Sequence, residues 1–215
     1  MEAAPSEHSK FMPLVMFDGP DGVGKSTQIK LTAQALAGRG VKTYVTRLSG
    51  GTKIGEQLRK ISLNPSLKRT ARTDLYIVLA MYNALSEELK VKRSEGYVCL
   101  VDRSPLSIIA YQVFGSGLSM NVGEAYVREA IAMFDPDVII SYDAPEEVIM
   151  HHLAKRAGKK NLDFFEGQSD EFNRRVLQGY AEANDLFSVS VINADADKKT
   201  VHLRTMAAID PFIAG

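Results

Sequence analysis

The sequence predicts an α/β fold: a mostly parallel sheet of five strands with helices on both faces. Two observations predict it. Five short β-rich apolar runs alternate with longer segments of helical spacing, and the first run leads directly into the glycine-rich turn GPDGVGKS and then a helix. Strands joined through helices run parallel, and the crossovers cover both faces of the sheet.

The elements follow in order. Residues 1–10 are polar, contain Pro5 and read as a loose leader before the first strand, Leu14 to Phe17. Helical spacing from Lys25 to Leu36 ends at Gly38 and Gly40, residues suited to close a helix. The second strand is Val41 to Thr46, followed by helices over Ile54 to Ile61 and Thr73 to Lys92. In the latter, LYIVLAMY (Leu75 to Tyr82) is apolar all round, which predicts burial on both sides, either within one chain or at a subunit interface. The third strand, Tyr97 to Val101, holds the lone Cys99, expected to pack as a small buried hydrophobe. Helices at Pro105 to Phe114 and Val122 to Phe134 precede the fourth strand, Val138 to Tyr142. Prolines at 105 and 145 suit first helical positions. Helices at Glu146 to Lys155 and Glu171 to Asn184, the strand Val189 to Ile192 and a helix at Lys198 to Ala208 complete the chain. With no linker or repeat, residues 11–215 read as one domain, and the basic stretch near 155–168 as a mobile lid.

Composition sets limits on partners. Of 215 residues, 45% are hydrophobic and 24% charged, which fits a globular chain and not a disordered one. Lys plus Arg and Asp plus Glu each number 26, so no net field draws the protein to nucleic acid or an anionic membrane. No apolar stretch approaches the roughly 18 residues of a membrane span, and a cytoplasmic protein is expected. His8, His151, His152 and His202 have no metal-site spacing, so solvated or capping roles are expected for them.

The segment Gly19 to Ser26 matches the P-loop pattern of glycine, four residues, glycine, lysine and serine or threonine. Its backbone N–H groups curl around phosphate oxygens while the following helix points its positive end at the same anion. Gly19, Pro20, Asp21, Gly22, Val23, Gly24, Lys25, Ser26 and Thr27 are therefore the candidate ATP-binding residues, with Lys25 directed at the β and γ phosphates and Ser26 at magnesium. The third strand ends in VDRS, which sets Asp102 at its carboxyl end as a second candidate for magnesium. An ordinary turn-capping acid is the alternative for Asp102. The NKxD string by which GTPases read guanine is absent, and a chain with no appended domain suits a small-molecule phosphotransferase better than a motor.

These features extend into a resemblance covering nearly the whole chain. FDGPDGVGKSTQ (17–28), TRLSGGTKIGEQLR (46–59), DRSPLSIIAYQ (102–112), PDVIISYD (136–143) and FNRRVLQGY (172–180) resemble, in order and spacing, the thymidylate kinases among the P-loop nucleoside monophosphate kinases. The resemblance implies a P-loop NTPase fold with a five-stranded parallel sheet. It further implies magnesium-dependent transfer of the ATP γ-phosphoryl group to dTMP, and usually a homodimer. By it, Arg47 and Arg103 hold the acceptor phosphate, Asp21 contacts the sugar 3′-hydroxyl, and Gly51 and Gln112 border the substrate. Arg156 supplies a catalytic cation from the lid, because Gly22 stands where some members carry an arginine in the P-loop.

Departures gather where the base should bind. The aromatic ring and the arginine that meet thymine in the family correspond to Val78 and Tyr82, with Tyr82 or Tyr76 left to stack instead. RLSG replaces the family's REPG, so a trans bond before Ser49 or a rearranged loop is expected. Ser104 replaces the aromatic after the DR pair, which predicts a wider site, and Tyr111 is expected to pack in the core. Phe164 stands at a lid position where arginine is common in the family. Two other readings therefore stay open: a nucleoside monophosphate kinase of different or broader base specificity, and a nucleotide-binding regulatory module without catalysis.

Overall fold

A computed structural model describes residues 11–157, 165 and 168–213. Five parallel strands form one sheet in the order β2-β3-β1-β4-β5, with β1 at Leu14–Asp18, β2 at Thr43–Arg47, β3 at Val98–Asp102, β4 at Val138–Asp143 and β5 at Ser190–Asn193. Each strand overlaps the span predicted for it and ends one residue later; β2 starts two residues late, at Thr43, and β3 and β5 start one residue late.

The central strand explains why the apolar runs are continuous. All of β1 is buried: Leu14 and Met16 face one layer, Val15 and Phe17 the other. The first layer holds α3 (Ala71–Ser94), α4 (Met120–Phe134) and a π-helix (Ile108–Gly115); the second holds α1 (Lys25–Gly38) and α7 (Lys198–Ile213). Cys99 is buried in the first layer, and desolvation pushes its thiol up to about 12.

Side-chain caps mark three helix starts. Thr52 Oγ1 accepts from Gly55 N at the head of α2 (Lys53–Leu63), and Thr70 and Ser169 do the same for α3 and α6 (Asp170–Leu186). The segment predicted as an ordinary helix from Pro105 is a π-helix after an initial turn, a form common near functional sites. Helix α6 approaches it closely: a Cβ at Gly179 would lie 2.6 Å from Ala110 Cα, so no larger residue fits without movement. That contact delivers Tyr180 to the carboxyl end of β1.

Two expectations change. The segment Leu75 to Tyr82 is not enclosed by this chain, because Tyr76 is 50% exposed while Leu75, Val78, Met81 and Tyr82 are buried; one helical stripe looks outward despite its apolar composition. Ser104 does not widen the site. It is fully buried, and its hydroxyl donates to Asp18 instead of lining a cavity.

Candidate functional site

The site forms at the carboxyl ends of β1 and β3, where the P-loop leaves β1 and Arg103 leaves β3. Gly19 has φ +126°, and a Cβ there would lie 2.3 Å from the Tyr142 carbonyl oxygen, so the loop can leave the sheet here only as glycine. Lys25, the first residue of α1 (Lys25–Gly38), is buried, and its Nζ donates to the carbonyls of Gly19 (2.7 Å) and Pro20 (2.9 Å). Desolvation, with the neighbouring Arg103 charge, lowers its pKa to about 8.

Ser26 and Asp102, predicted from separate motifs, come together: Ser26 Oγ donates to Asp102 Oδ2 at 3.4 Å. The other carboxylate oxygen, Asp102 Oδ1, is buried with no hydrogen-bond partner. A hydroxyl beside a half-satisfied carboxylate, next to a phosphate loop, is a donor set for a hard divalent cation that keeps part of its water shell.

Arg103 occupies the left-handed region at φ +80°, with its N–H donating to Phe17 O at 2.7 Å. Its guanidinium donates to Asp21 Oδ1 (2.6 Å), Tyr180 OH (2.6 Å) and Tyr111 OH (3.1 Å), and Tyr111 OH donates to Asp21 Oδ2 (2.9 Å). Tyr111, expected to serve the core, is therefore also part of the polar lattice around Arg103. Arg47 ends β2 and donates from Nη2 to both oxygens of Glu56 at 2.7 Å. Glu56 also accepts from Gly51 N at 3.0 Å, and these bonds hold its carboxyl below the usual carboxylate range.

Beneath this surface lies a group that the sequence reading missed. The Asp18 carboxylate is fully buried and accepts from Gly19 N, Ser104 N, the hydroxyls of Ser104 and Ser107, and Tyr180 OH. It ties the start of the P-loop to the turn that carries Arg103. An acid at a strand end directly before a P-loop glycine was the available signal. Glu56 and Arg59 were also missed, although both lie inside the segment 46–59; Arg59 Nη1 donates to Ser49 O at 2.9 Å and steadies the altered RLSG loop. That loop contains no cis peptide, as expected from the missing proline.

Two cavities meet at these residues. One of about 470 Å³ is lined by Gly22, Gly24, Lys25, Ser26, Thr27, Arg47 and Asp102, with Lys155 and His152 at its rim. The second, about 250 Å³, is lined by Val78, Met81, Tyr82, Ser107, Tyr111 and Gln112. Asp21, Ser49, Arg59 and Arg103 line both. Tyr82 lines the second cavity, whereas Tyr76 is half exposed on the outer side of α3 and does not line it. Val23, within the loop, donates from its N–H to Pro20 O at 3.3 Å. A larger groove of about 680 Å³ between α1 and the edge strand β2 touches the site only at Ser26, Arg47, Gly51 and Asp102.

For His152 a solvated or capping role was expected. It is exposed, but its Nδ1 lies 2.9 Å from Gly22 O, so α5 (Glu146–Ala157) rests on the P-loop at Gly22. Arg156 lies in the last turn of α5 with its side chain outside the described residues; Lys159, Lys160 and Phe164 also lie outside them. Among the described residues no histidine, cysteine and carboxylate cluster could hold a metal by itself, and no helix is long and apolar enough to cross a membrane.

Comparison with known proteins agrees with this geometry. The family model for thymidylate kinase matches residues 17–206. The thymidylate kinase of Pelotomaculum thermopropionicum is 36% identical over 210 residues, covering 94% of this chain and 96% of the relative. Those of Trichormus variabilis and Caldicellulosiruptor saccharolyticus are 33% and 31% identical over 205 residues, each covering 93% of this chain and 96% of the relative. The chain belongs to the thymidylate kinase family.

Proposed function

We propose that this protein transfers the γ-phosphoryl group of ATP to the 5′-phosphate of dTMP, giving dTDP and ADP. The observation that carries the reading is the junction of two cavities at Asp21 and Arg103, one built on the P-loop and one on α3 and the π-helix. Donor phosphates enter the first, and the acceptor nucleotide enters the second with its phosphate toward the first.

The chemistry needs little from the protein beyond position and charge. A phosphate monoester has a second pKa of about 6, so the attacking oxygen is ionised at neutral pH and requires no general base. That oxygen bonds to the γ phosphorus as the bond from the γ phosphorus to the β,γ-bridging oxygen breaks and ADP leaves. The obstacle is repulsion between two anions, which Lys25 on the donor side and Arg47 and Arg103 on the acceptor side offset. Asp21 contacts the sugar 3′-hydroxyl, and Tyr111 and Arg103 hold its carboxylate ready. Ser26 and Asp102 would hold magnesium, whose charge, when bound, neutralises the donor phosphate oxygens. Arg156, from the basic stretch near 155–168, supplies a further cation to the donor, and Gly51 and Gln112 border the acceptor.

Coupled detection of ADP release tests the reading: dTMP-dependent turnover is expected, and no turnover with any deoxynucleoside monophosphate in protein that still binds ATP overturns it. Val78 and Tyr82 favour a second reading, a broader pyrimidine monophosphate range, which kcat/KM across dTMP, dUMP and dCMP separates from the first.

The working unit is a cytoplasmic homodimer of a single domain over 11–215, preceded by the 1–10 leader. The outward stripe of α3 at Tyr76 and the exposed Ile54 and Ile61 on α2 support the dimer, and light scattering in solution tests it.

A further inference from the structure

We infer that Glu56 is an internal competitor of the acceptor phosphate: in the free protein its carboxylate holds the Arg47 guanidinium and the Gly51 N–H, and phosphate binding takes both donors from it. Glu56 thus acts through Arg47 as a positioning residue. The inference rests on the kinase reading above, which gives Arg47 the acceptor phosphate, and deepens it by naming what that phosphate must displace.

The sequence leaves one acid for this part. Within the segment 46–59 Glu56 is the sole carboxylate, set among Arg47, Lys53 and Arg59. Leu48, next to Arg47, is fully buried and brings no charge to the loop. Glu56 lies in the first turn of α2, where the helix dipole favours a negative charge.

Two donors converge on that carboxylate. Arg47 Nη2 donates to both Glu56 oxygens at 2.7 Å, and Gly51 N donates to Oε1 at 3.0 Å. Gly50 lets them meet: at φ +117°, a Cβ there would lie 2.7 Å from Glu56 Oε1, 2.9 Å from Arg47 Nε and 3.2 Å from Arg59 Cδ. A guanidinium and a backbone N–H aimed at one carboxylate are also the groups that bind a phosphate oxygen. Glu56 therefore fills an anion cradle with the protein's own charge, and the bonds from Arg47 and Gly51 keep it ionised.

The nitrogen involved makes the two anions exclusive. A guanidinium presents two bidentate faces, Nη1 with Nη2 at its end and Nε with Nη2 along its side, and Nη2 belongs to both. With both Glu56 oxygens on Nη2, a phosphate can grip Arg47 bidentately only after the carboxylate leaves. The pair is weak enough to yield: its side chains are 47% and 41% exposed, and ion pairs that open to water contribute little. Arg59, one turn further along α2, already attracts the Glu56 carboxylate and is the cation it meets on release. Arg47 and Arg59 line the same cavity, so the exchange takes place at its wall.

Two variants of the full chain test this by calorimetry with dTMP and with thymidine, which lacks the phosphate. Glu56→Gln keeps the shape and removes the charge; Glu56→Asp keeps the charge but stops one methylene short of Arg47 and Gly51. Both are expected to bind dTMP about 2- to 5-fold more tightly than wild type, with thymidine affinity unchanged. The KM for dTMP should fall by a similar factor, more than any change in kcat. Tighter dTMP binding in Glu56→Gln alone would make Glu56 a distant charge, and weaker binding in both would make it a residue that pre-orients Arg47. Either result overturns the inference, as does unchanged affinity, or a lowered melting temperature with both ligands weakened alike. In wild-type protein the Gly51 amide proton resonance should move on adding dTMP and stay in place with thymidine; an unmoved resonance overturns the inference even where a variant does not fold. Variants that bind dTMP more tightly but release no ADP would instead overturn the kinase reading and leave this exchange standing.

Discussion

The carboxylate of Asp18 binds Ser104 twice, receiving its backbone N–H at 3.0 Å and its hydroxyl at 2.6 Å on the same oxygen, Oδ2. This pair joins the end of β1 to the residue after Arg103, so the two strands that carry the phosphate groups share one buried anchor. Ser104→Ala removes one hydrogen bond to a charged group and should cost about 1.5 to 3 kcal/mol. Asp18→Ala strands several buried donors at once and should cost about 4 kcal/mol. Urea unfolding at neutral pH checks both. A Ser104→Ala loss near zero would remove this pair from the account of how the site is held.

Lys25 combines burial with function. Its pKa in the free protein is about 8, below the ordinary 10.5, so folding disfavours its charged form. Between those values the unfolded chain holds more protons than the folded one, and the contribution of this group to stability therefore rises with pH across that window. Binding has the opposite trend. ATP requires the ammonium, so above pH 8 the protein must take up a proton, and affinity should fall toward about tenfold per pH unit. Calorimetry in buffers of different ionisation enthalpy would detect the proton. Lys25→Ala should reduce phosphoryl transfer by about 10² to 10³-fold or more, measured as kcat for ADP release.

Gly22 and His152 are set against each other. A Cβ at Gly22 would lie 2.9 Å from His152 Cβ, and the residue has φ +86°. Gly22→Ala should cost about 1 to 3 kcal/mol in thermal unfolding. Adding His152→Ala should recover part of that loss, because it relieves the contact and leaves the backbone strain. Gly22→Arg should impair ATP binding by displacing α5.

The orphaned oxygen of Asp102 predicts its response to neutralisation. Asp102→Asn keeps the shape and removes the charge, so the magnesium concentration for half-maximal ADP release should rise by about 10- to 100-fold. The affinity for metal-free ATP should stay within about twofold of wild type, since Asp102 does not face the nucleotide through a hydrogen-bond donor. An unchanged magnesium requirement would assign the residue to its turn alone.

Much of this was legible in the residue string. Local rules act within a few residues: apolar runs of strand length, capping residues and the P-loop spacing gave the five strands, their helices and the positions of Lys25, Ser26 and Asp102. The charge count, 26 of each sign, averages over the whole chain and excludes only a net field, whereas the site gathers Lys25, Arg47 and Arg103 locally.

Sequence by itself determined the phosphate chemistry, because a P-loop is a contiguous stretch whose backbone conformation follows from its glycines and the helix after it. Tertiary structure alone decided how that chemistry is held. Asp18 meets Ser104 across 86 positions and Tyr180 across 162, and Asp74 meets Gln112 across 38. Contacts of that separation leave no local pattern. They exist only once β1 lies beside β3 and α6 lies against the π-helix, where burial makes each polar group depend on a partner from a distant part of the chain.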